Sequence, residues 1–251
     1  MRKQANYLWL AVFLLLARPA CAAIENAAVT FDGANKLYEE GKFAEAATAY
    51  EKLSQSGHPS TAVYFNLGNA FFKSGHIGRA IAAYRQAERI SPRDPDVRAN
   101  LQFARNQTPA PSLSANRWQR WLGKLTLDEW TLLTAAAVWL WLLLLSFLQW
   151  RPILRRALRG YAVALAIAAA VSCSCLAAAW SENRSPPIAI VIAPEAVARQ
   201  SPFEGSPNVF TLHDGAELRV LDQKDEWLQV STDARRIGWL RREQVLLSSP
   251  T

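Results

Sequence analysis

Cysteine is scarce in this 251-residue chain, with three residues only, Cys21, Cys173 and Cys175. Three thiols do not make a disulfide framework. Cys173 and Cys175 stand two apart in an apolar run. On a helix that is about 200° of rotation, so they point apart. Small packing surface is the plainer reading of Ser-Cys-Ser there, against metal or redox work. Histidine is as sparse: His58, His76 and His213 are scattered. They show neither zinc-site nor catalytic-triad spacing. The sequence therefore offers no catalytic, cofactor-binding or metal-binding residue, and the expectation is a protein that is not an enzyme.

Acidic residues are missing from one stretch in particular. The net charge is +7, but residues 117–180 alone hold seven basic side chains against Asp128 and Glu129. Residues 1–22 carry three basic side chains and no acid. By contrast, residues 23–116 hold 10 basic and 9 acidic groups, and residues 181–251 hold 8 basic and 10 acidic. Neither soluble part is basic, so the charge does not point to nucleic acid.

What the chain does have is a period. Displaced by 34 residues, Ala34 falls on Gly68, Asn35 on Asn69, Leu37 on Phe71 and Tyr38 on Phe72; Gly41 falls on Gly75, Ala46 on Ala80 and Tyr50 on Tyr84. The second copy reads Tyr64, Leu67, Gly68, Phe71, then Ala80, Tyr84 and Pro92. That run resembles the tetratricopeptide (TPR) pattern, with one aromatic exchanged for another. The resemblance implies two antiparallel helices per repeat. Small residues let the backbones approach, and Gly41 and Gly75 end the first helix of each pair. The repeats span 27–60 and 61–94. Asp94 and Pro95 then start a closing helix over 95–107, with Val97, Leu101 and Ala104 on one face. The TPR domain is expected over 23–107.

Residues 1–22 resemble a secretory signal. Arg2 and Lys3 precede an apolar run from Tyr7 to Leu16, and Ala20-Cys21-Ala22 is a small-x-small cleavage site. Lipidation at Cys21 and a retained anchor are the alternatives. Further on, Thr131 to Leu148 is 18 residues without a charge, bracketed by Trp130 and Trp150. Tyr161 to Trp180 is 20 more. Each is long enough to cross the bilayer core of about 30 Å at about 1.5 Å per residue. A transmembrane hairpin is expected over 130–180, against the alternative of a buried soluble helix pair. Residues 108–129 before it comprise a Pro/Ser/Asn-rich linker, expected to be mobile, and an interfacial collar of Arg117, Trp118, Arg120, Trp121 and Lys124.

After Pro187 the pattern turns to short strands: IAIVI, ELRVL, WLQVS and RIGWL, separated by turn residues. About 60 residues in five short strands imply a small all-β barrel. His213-Asp214-Gly215, Trp227-Leu228-x-Val230 and Gly238-Trp239-Leu240, in this order, resemble the bacterial SH3-like (SH3b) family over 188–247. The D-G-x turn common in that family is replaced here by the run from Ser231 to Arg236. Trp227 and Trp239 are either barrel core or a ligand-facing aromatic surface.

The order of parts resembles the BatE-type proteins of bacterial aerotolerance operons, which accompany membrane von Willebrand A proteins and a MoxR-type ATPase. The resemblance implies a multidomain envelope scaffold, with an α-helical TPR solenoid, two transmembrane helices and an SH3-like barrel. Its partners would be proteins. A peptidoglycan-binding accessory acting through residues 188–247 is the alternative, and a secretion or cytochrome-maturation subunit a third. TPR proteins receive extended peptides on the inner face. By that resemblance the groove residues are Phe31, Asn35, Tyr38 and Glu39 in the first repeat, and Phe65, Asn69, Phe72 and Lys73 in the second. Asn35 and Asn69 are either backbone-gripping amides or common TPR residues.

The export signal and an even number of crossings imply that both soluble parts lie outside the cytoplasm, on a bacterial inner membrane. Arg151, Arg155, Arg156 and Arg159 in the hairpin turn agree, by the excess of cations on the cytoplasmic side. Alkaline phosphatase fused after Thr251 should be active, and fused within 153–158 inactive. The reverse pattern would overturn the topology.

Overall fold

The structure, a computed structural model, describes residues 28–56, 59–113, 116–184, 186–232 and 236–248. The expected signal over 1–22, with Cys21, lies outside them, as does His58.

Five helices form the first part. α1 runs through 28–39. α2 is Phe43–Gln55, α3 Thr61–Lys73, α4 Ile77–Ile90 and α5 Pro95–Asn106. The turns between paired helices repeat atom for atom. Gly41 (φ 78°) and Gly75 (φ 84°) take the left-handed conformation that ends α1 and α3. Lys42 N–H then reaches back to Leu37 O at 2.9 Å, and His76 N–H to Phe71 O at 2.9 Å. Ser60 caps α3 by accepting from Val63 N–H, and Asp94 caps α5 by accepting from Asp96 and Val97 N–H.

Small residues sit where the helices cross. Ala34, Ala46 and Ala80 are fully buried. At Gly68 even one added carbon would lie 2.5 Å from the Tyr84 ring. The 34-residue period also runs into α5: Val97, Leu101 and Ala104 stand one period after Val63, Leu67 and Ala70, and all six are buried. α5 is thus the first helix of a third, incomplete repeat.

A short helix, α6 (Arg117–Leu122), leads into α7 (Leu127–Trp150). A 3₁₀ turn, Pro152–Leu154, joins α7 to α8 (Arg155–Asn183). The segments Leu127–Trp150 and Pro152–Asn183 are long and apolar enough to cross a membrane. Only 11% of each apolar window is buried within the chain, so neither is the covered core helix of a soluble fold. Thr134 donates its hydroxyl hydrogen to Ser172 O across the pair. Cys175 is buried there and Cys173 is exposed, and both are free thiols.

The third part is a sheet of seven strands: β1 Ile188–Val191, β2 Glu195–Arg199, β3 Asn208–His213, β4 Glu217–Lys224, β5 Trp227–Ser231, β6 Ile237–Arg241 and β7 Val245–Ser248. Every pairing is antiparallel, in the order β3-β2-β6-β5-β4-β1-β7. The expected five-stranded barrel is corrected here. The sheet has two more strands than expected, and it is not closed, because β3 and β7 do not pair. The β1–β7 end instead packs against α4. A helix covers the end strands that a barrel would have joined to β3.

One change tests the helix crossing. Gly68→Ala should cost about 1–3 kcal/mol, because the buried Tyr84 ring must move. Urea unfolding of the full chain in detergent reads the loss, and an unchanged midpoint would show that the crossing has slack.

Candidate peptide groove and interdomain joint

The inner-face residues divide into two groups. Phe31 packs edge-on against Tyr50 at 5.9 Å, and one period later Phe65 packs against Tyr84 at 6.1 Å. These two phenylalanines are half-buried supports of the helix pairs. Tyr38 meets Phe43 at 5.2 Å, and Phe72 meets Phe103 at 5.4 Å. Lys73 and Glu39 are exposed.

The asparagines form a repeated network. Tyr50 donates its hydroxyl hydrogen to Asn35 Oδ1 (2.6 Å), and Asn66 Nδ2 donates to the same oxygen (3.1 Å). One period on, Tyr84 donates to Asn69 Oδ1 (2.7 Å) and Asn100 Nδ2 donates to it (3.0 Å). Burial pushes both tyrosine hydroxyls above their ordinary pKa, so they stay protonated. The acceptor of Asn35 and of Asn69 is therefore occupied from within the chain. What remains unbonded among the described residues is an amide N–H₂ on Asn35 and Asn69, and a carbonyl oxygen on Asn66 and Asn100. Each interrepeat pair thus presents one donor and one acceptor, the complement of a peptide group.

A half-open cavity of about 130 Å³ lies at the first pair, lined by Asn35, Tyr38, Glu39, Tyr50 and Asn66. Phe103, 55% exposed, continues the line of Asn35 and Asn69 one period further. Asn66, Asn100 and Phe103 were absent from the sequence reading. Extending the period into α5 would have found them.

A model of the tetratricopeptide repeat family matches residues 31–95. These residues are TPR repeats. No curated protein matches the chain. TPR repeats are protein-interaction modules, and the groove just described lies on their first helices.

The other face of the TPR region carries the sheet. Glu217, on β4, is fully buried. Arg85 Nη2 reaches its Oε2 at 2.5 Å, and Arg105 Nε its Oε1 at 2.8 Å. Leu113 N–H donates to the same carboxylate at 3.0 Å. Burial pushes the Glu217 carboxyl up, and the hydrogen bonds and charges of Arg85 and Arg105 outweigh it, leaving the group below the ordinary glutamate range. Nearby, α4 has no side-chain cap of its own. Asp214 supplies one from the sheet domain: Gly78 N–H lies 3.1 Å from each of its oxygens. A side chain at Gly78 would stand 2.2 Å from Val191 O. Ile190 of β1 completes the helical core.

The linker expected to be mobile is pinned at this joint. Thr108 donates its hydroxyl hydrogen to Asp214 O at 2.8 Å, and Glu217 N–H donates to Pro111 O at 3.0 Å. Proline cannot donate, but its carbonyl accepts, so Pro111 contributes an acceptor while Thr108 and Leu113 contribute donors.

Trp227 and Trp239 are half-buried, on the sheet face opposite Leu228, Val230 and Leu240. Of the two alternatives, this placement does not fit barrel core. Arg241 lies over the Trp227 ring at 5.6 Å and pairs with Glu204 and Glu243. Among the described residues no group of three or more His, Cys, Asp or Glu side chains could hold a metal ion.

Removing Glu217 tests the joint. Glu217→Ala leaves two largely buried guanidinium groups unpaired and should cost about 3–5 kcal/mol. The pH dependence follows from the lowered carboxyl: the stabilisation is complete above the ordinary glutamate value of about 4.3 and is lost as pH falls through the folded value. Melting curves across acidic pH should therefore fall less steeply for Glu217→Gln than for wild type. Parallel curves would remove Glu217 from the account.

Proposed function

We propose that this protein is a non-enzymatic, membrane-anchored scaffold of the bacterial envelope that holds a partner protein through an extended segment in its TPR groove. The hairpin sits in the inner membrane, with the TPR and sheet parts outside the cytoplasm. The observation that carries the reading is the pair of donor-and-acceptor sites, Asn35 with Asn66 and Asn69 with Asn100, on one face of successive repeats. Such sites hold main chain irrespective of sequence. Tyr38, Phe72, Phe103 and the exposed charges Glu39 and Lys73 add side-chain selection. The resemblance to BatE-type proteins supplies the partner class: membrane von Willebrand A proteins working with a MoxR-type ATPase in aerotolerance.

A second reading has its own support. Trp227 and Trp239 face away from the core on adjacent strands. Outward tryptophans suit stacking on sugar rings, which favours a peptidoglycan accessory.

Asparagine is the wrong place to test the groove, because Asn35→Ala and Asn69→Ala would also unpair the buried Tyr50 and Tyr84 hydroxyls. Phe103→Ala with Lys73→Glu changes exposed groove groups and, within the chain, removes the Phe72–Phe103 ring contact. Cross-linked partners recovered from solubilised membranes should drop at least about tenfold, the effect of losing an aromatic anchor, with a melting curve that shows a loss of no more than about 0.5–1.5 kcal/mol, the worth of one ring pair. Recovery at wild-type strength would move the interaction out of the groove. Binding of isolated cell wall lost on Trp227→Ala and Trp239→Ala, with partner recovery intact, would favour the second reading.

A further inference from the structure

We propose that the collar around the outer end of the hairpin is a binding site for anionic phospholipid headgroups, built from Arg117, Arg120, Lys124 and Arg184 with Trp118 and Trp121. The proposal rests on the hairpin crossing the bilayer.

The site is held at one depth. Leu122 of α6 and Trp130 of α7 are buried together against Cys175 of α8, with Leu125, Leu176 and Ala179 around them. The Trp130 indole N–H donates to Leu122 O at 3.1 Å, and Gln119 Nε2 donates to the Glu182 carboxylate at 3.1 Å. These contacts lay α6 against the last turns of α8. That is where the uncharged run ends at Trp180, which is 51% exposed. Leu122 of α6 is thus spent on the hairpin end, and the charges of α6 sit where headgroups begin.

At that depth cations are in excess. Arg117, Arg120 and Lys124 are exposed and make no ion pair among the described residues. Arg184 lies over the Trp180 ring at 4.1 Å. Of the acids nearby, Glu129 pairs with Arg93, whereas Asp128 and Glu182, which accepts from the neutral Gln119, keep their charge, so four cations face two carboxylates. Trp118 and Trp121 stack at 5.1 Å and remain 53% and 44% exposed. Indoles with an apolar body and one N–H partition to the headgroup boundary.

Topogenesis does not explain these four cations. The preference for cations on the cytoplasmic side accounts for the arginines in the hairpin turn, and it disfavours an equal number at the opposite end. A ligand of negative charge supplies the missing cause. Each cation at the headgroup level favours an anionic over a neutral lipid by about fivefold. Beside the collar, Arg93, in the α4–α5 turn, pairs with Glu129 on the first turn of α7 at 2.5 Å, an ion pair between the TPR region and the hairpin.

The test uses the full chain in nanodiscs of mixed phosphatidylcholine and phosphatidylglycerol. Lipids retained on gentle extraction are counted by native mass spectrometry. Wild type should retain phosphatidylglycerol at least about fivefold above its share of the mixture. Arg117→Gln/Arg120→Gln/Lys124→Gln should lose most of that excess, and Arg117→Lys/Arg120→Lys, which keeps all three charges, should keep it. Arg156→Gln/Arg159→Gln, in the hairpin turn, should leave the collar's share in place. The proposal fails if the glutamine variant retains as much phosphatidylglycerol as wild type, or if the hairpin-turn variant abolishes the excess. It also fails if inorganic phosphate alone displaces the lipid, which would make this a free-anion site. Carbonate extraction separates this failure from failure of the spanning hairpin: all variants should stay in the membrane fraction, and release of wild type would sink the hairpin reading instead.

Discussion

A buried carboxylate decides how this molecule is put together. Glu217 is fully enclosed, and it lies between arginines from α4 and α5 with a linker N–H closing the third side. A charge in that position is costly unless every partner is present. Its partners come from three stretches of chain that all precede the hairpin, whereas Glu217 follows it. The carboxylate is thus satisfied only when the helical region, the linker and the sheet are assembled together. Asp214 works in the same direction by capping a helix that has no cap of its own.

The consequence is a single body with an apolar hairpin inserted in its middle. The chain leaves this body after Leu113 and re-enters it at β1, so both ends of the hairpin emerge on one side. Two full repeats are few for a solenoid, since units gain their stability from neighbours. Here α5 adds half a repeat on one flank and the sheet covers α4. The groove on the first helices and the outward tryptophans of the sheet are held in one frame, which suits a protein that positions partners.

Local signals were legible in the sequence. The 34-residue period marks the helix pairs, because each pair makes the same contacts and so needs the same residues. The glycines at 41 and 75, the cap at Asp94 and the charge-free runs were readable for similar reasons, since each depends on neighbours within one turn or one span. Departures from the period carried information too. Gly78, Ile81 and Arg85 stand where the first repeat has Ala44, Ala47 and Glu51, and these three face the sheet. The groove was half legible: its face followed from the period. That the oxygens of Asn35 and Asn69 are already occupied did not, because their donors come from other helices.

Sequence alone determined the helical repeats, the two apolar spans and the strand-rich tail, since period, run length and alternation are properties of adjacent residues. Tertiary structure decided the rest. It opened the expected barrel into a seven-stranded sheet by giving the β1–β7 end a helix to pack on. It pinned the linker, because Asp214 and Glu217 needed partners that the linker carries. It turned Trp227 and Trp239 outward, since the register of β5 and β6 gives the inner face to Leu228, Val230 and Leu240. Each of these outcomes depends on which distant residue arrives as a neighbour, and no window along the chain contains both members of the pair.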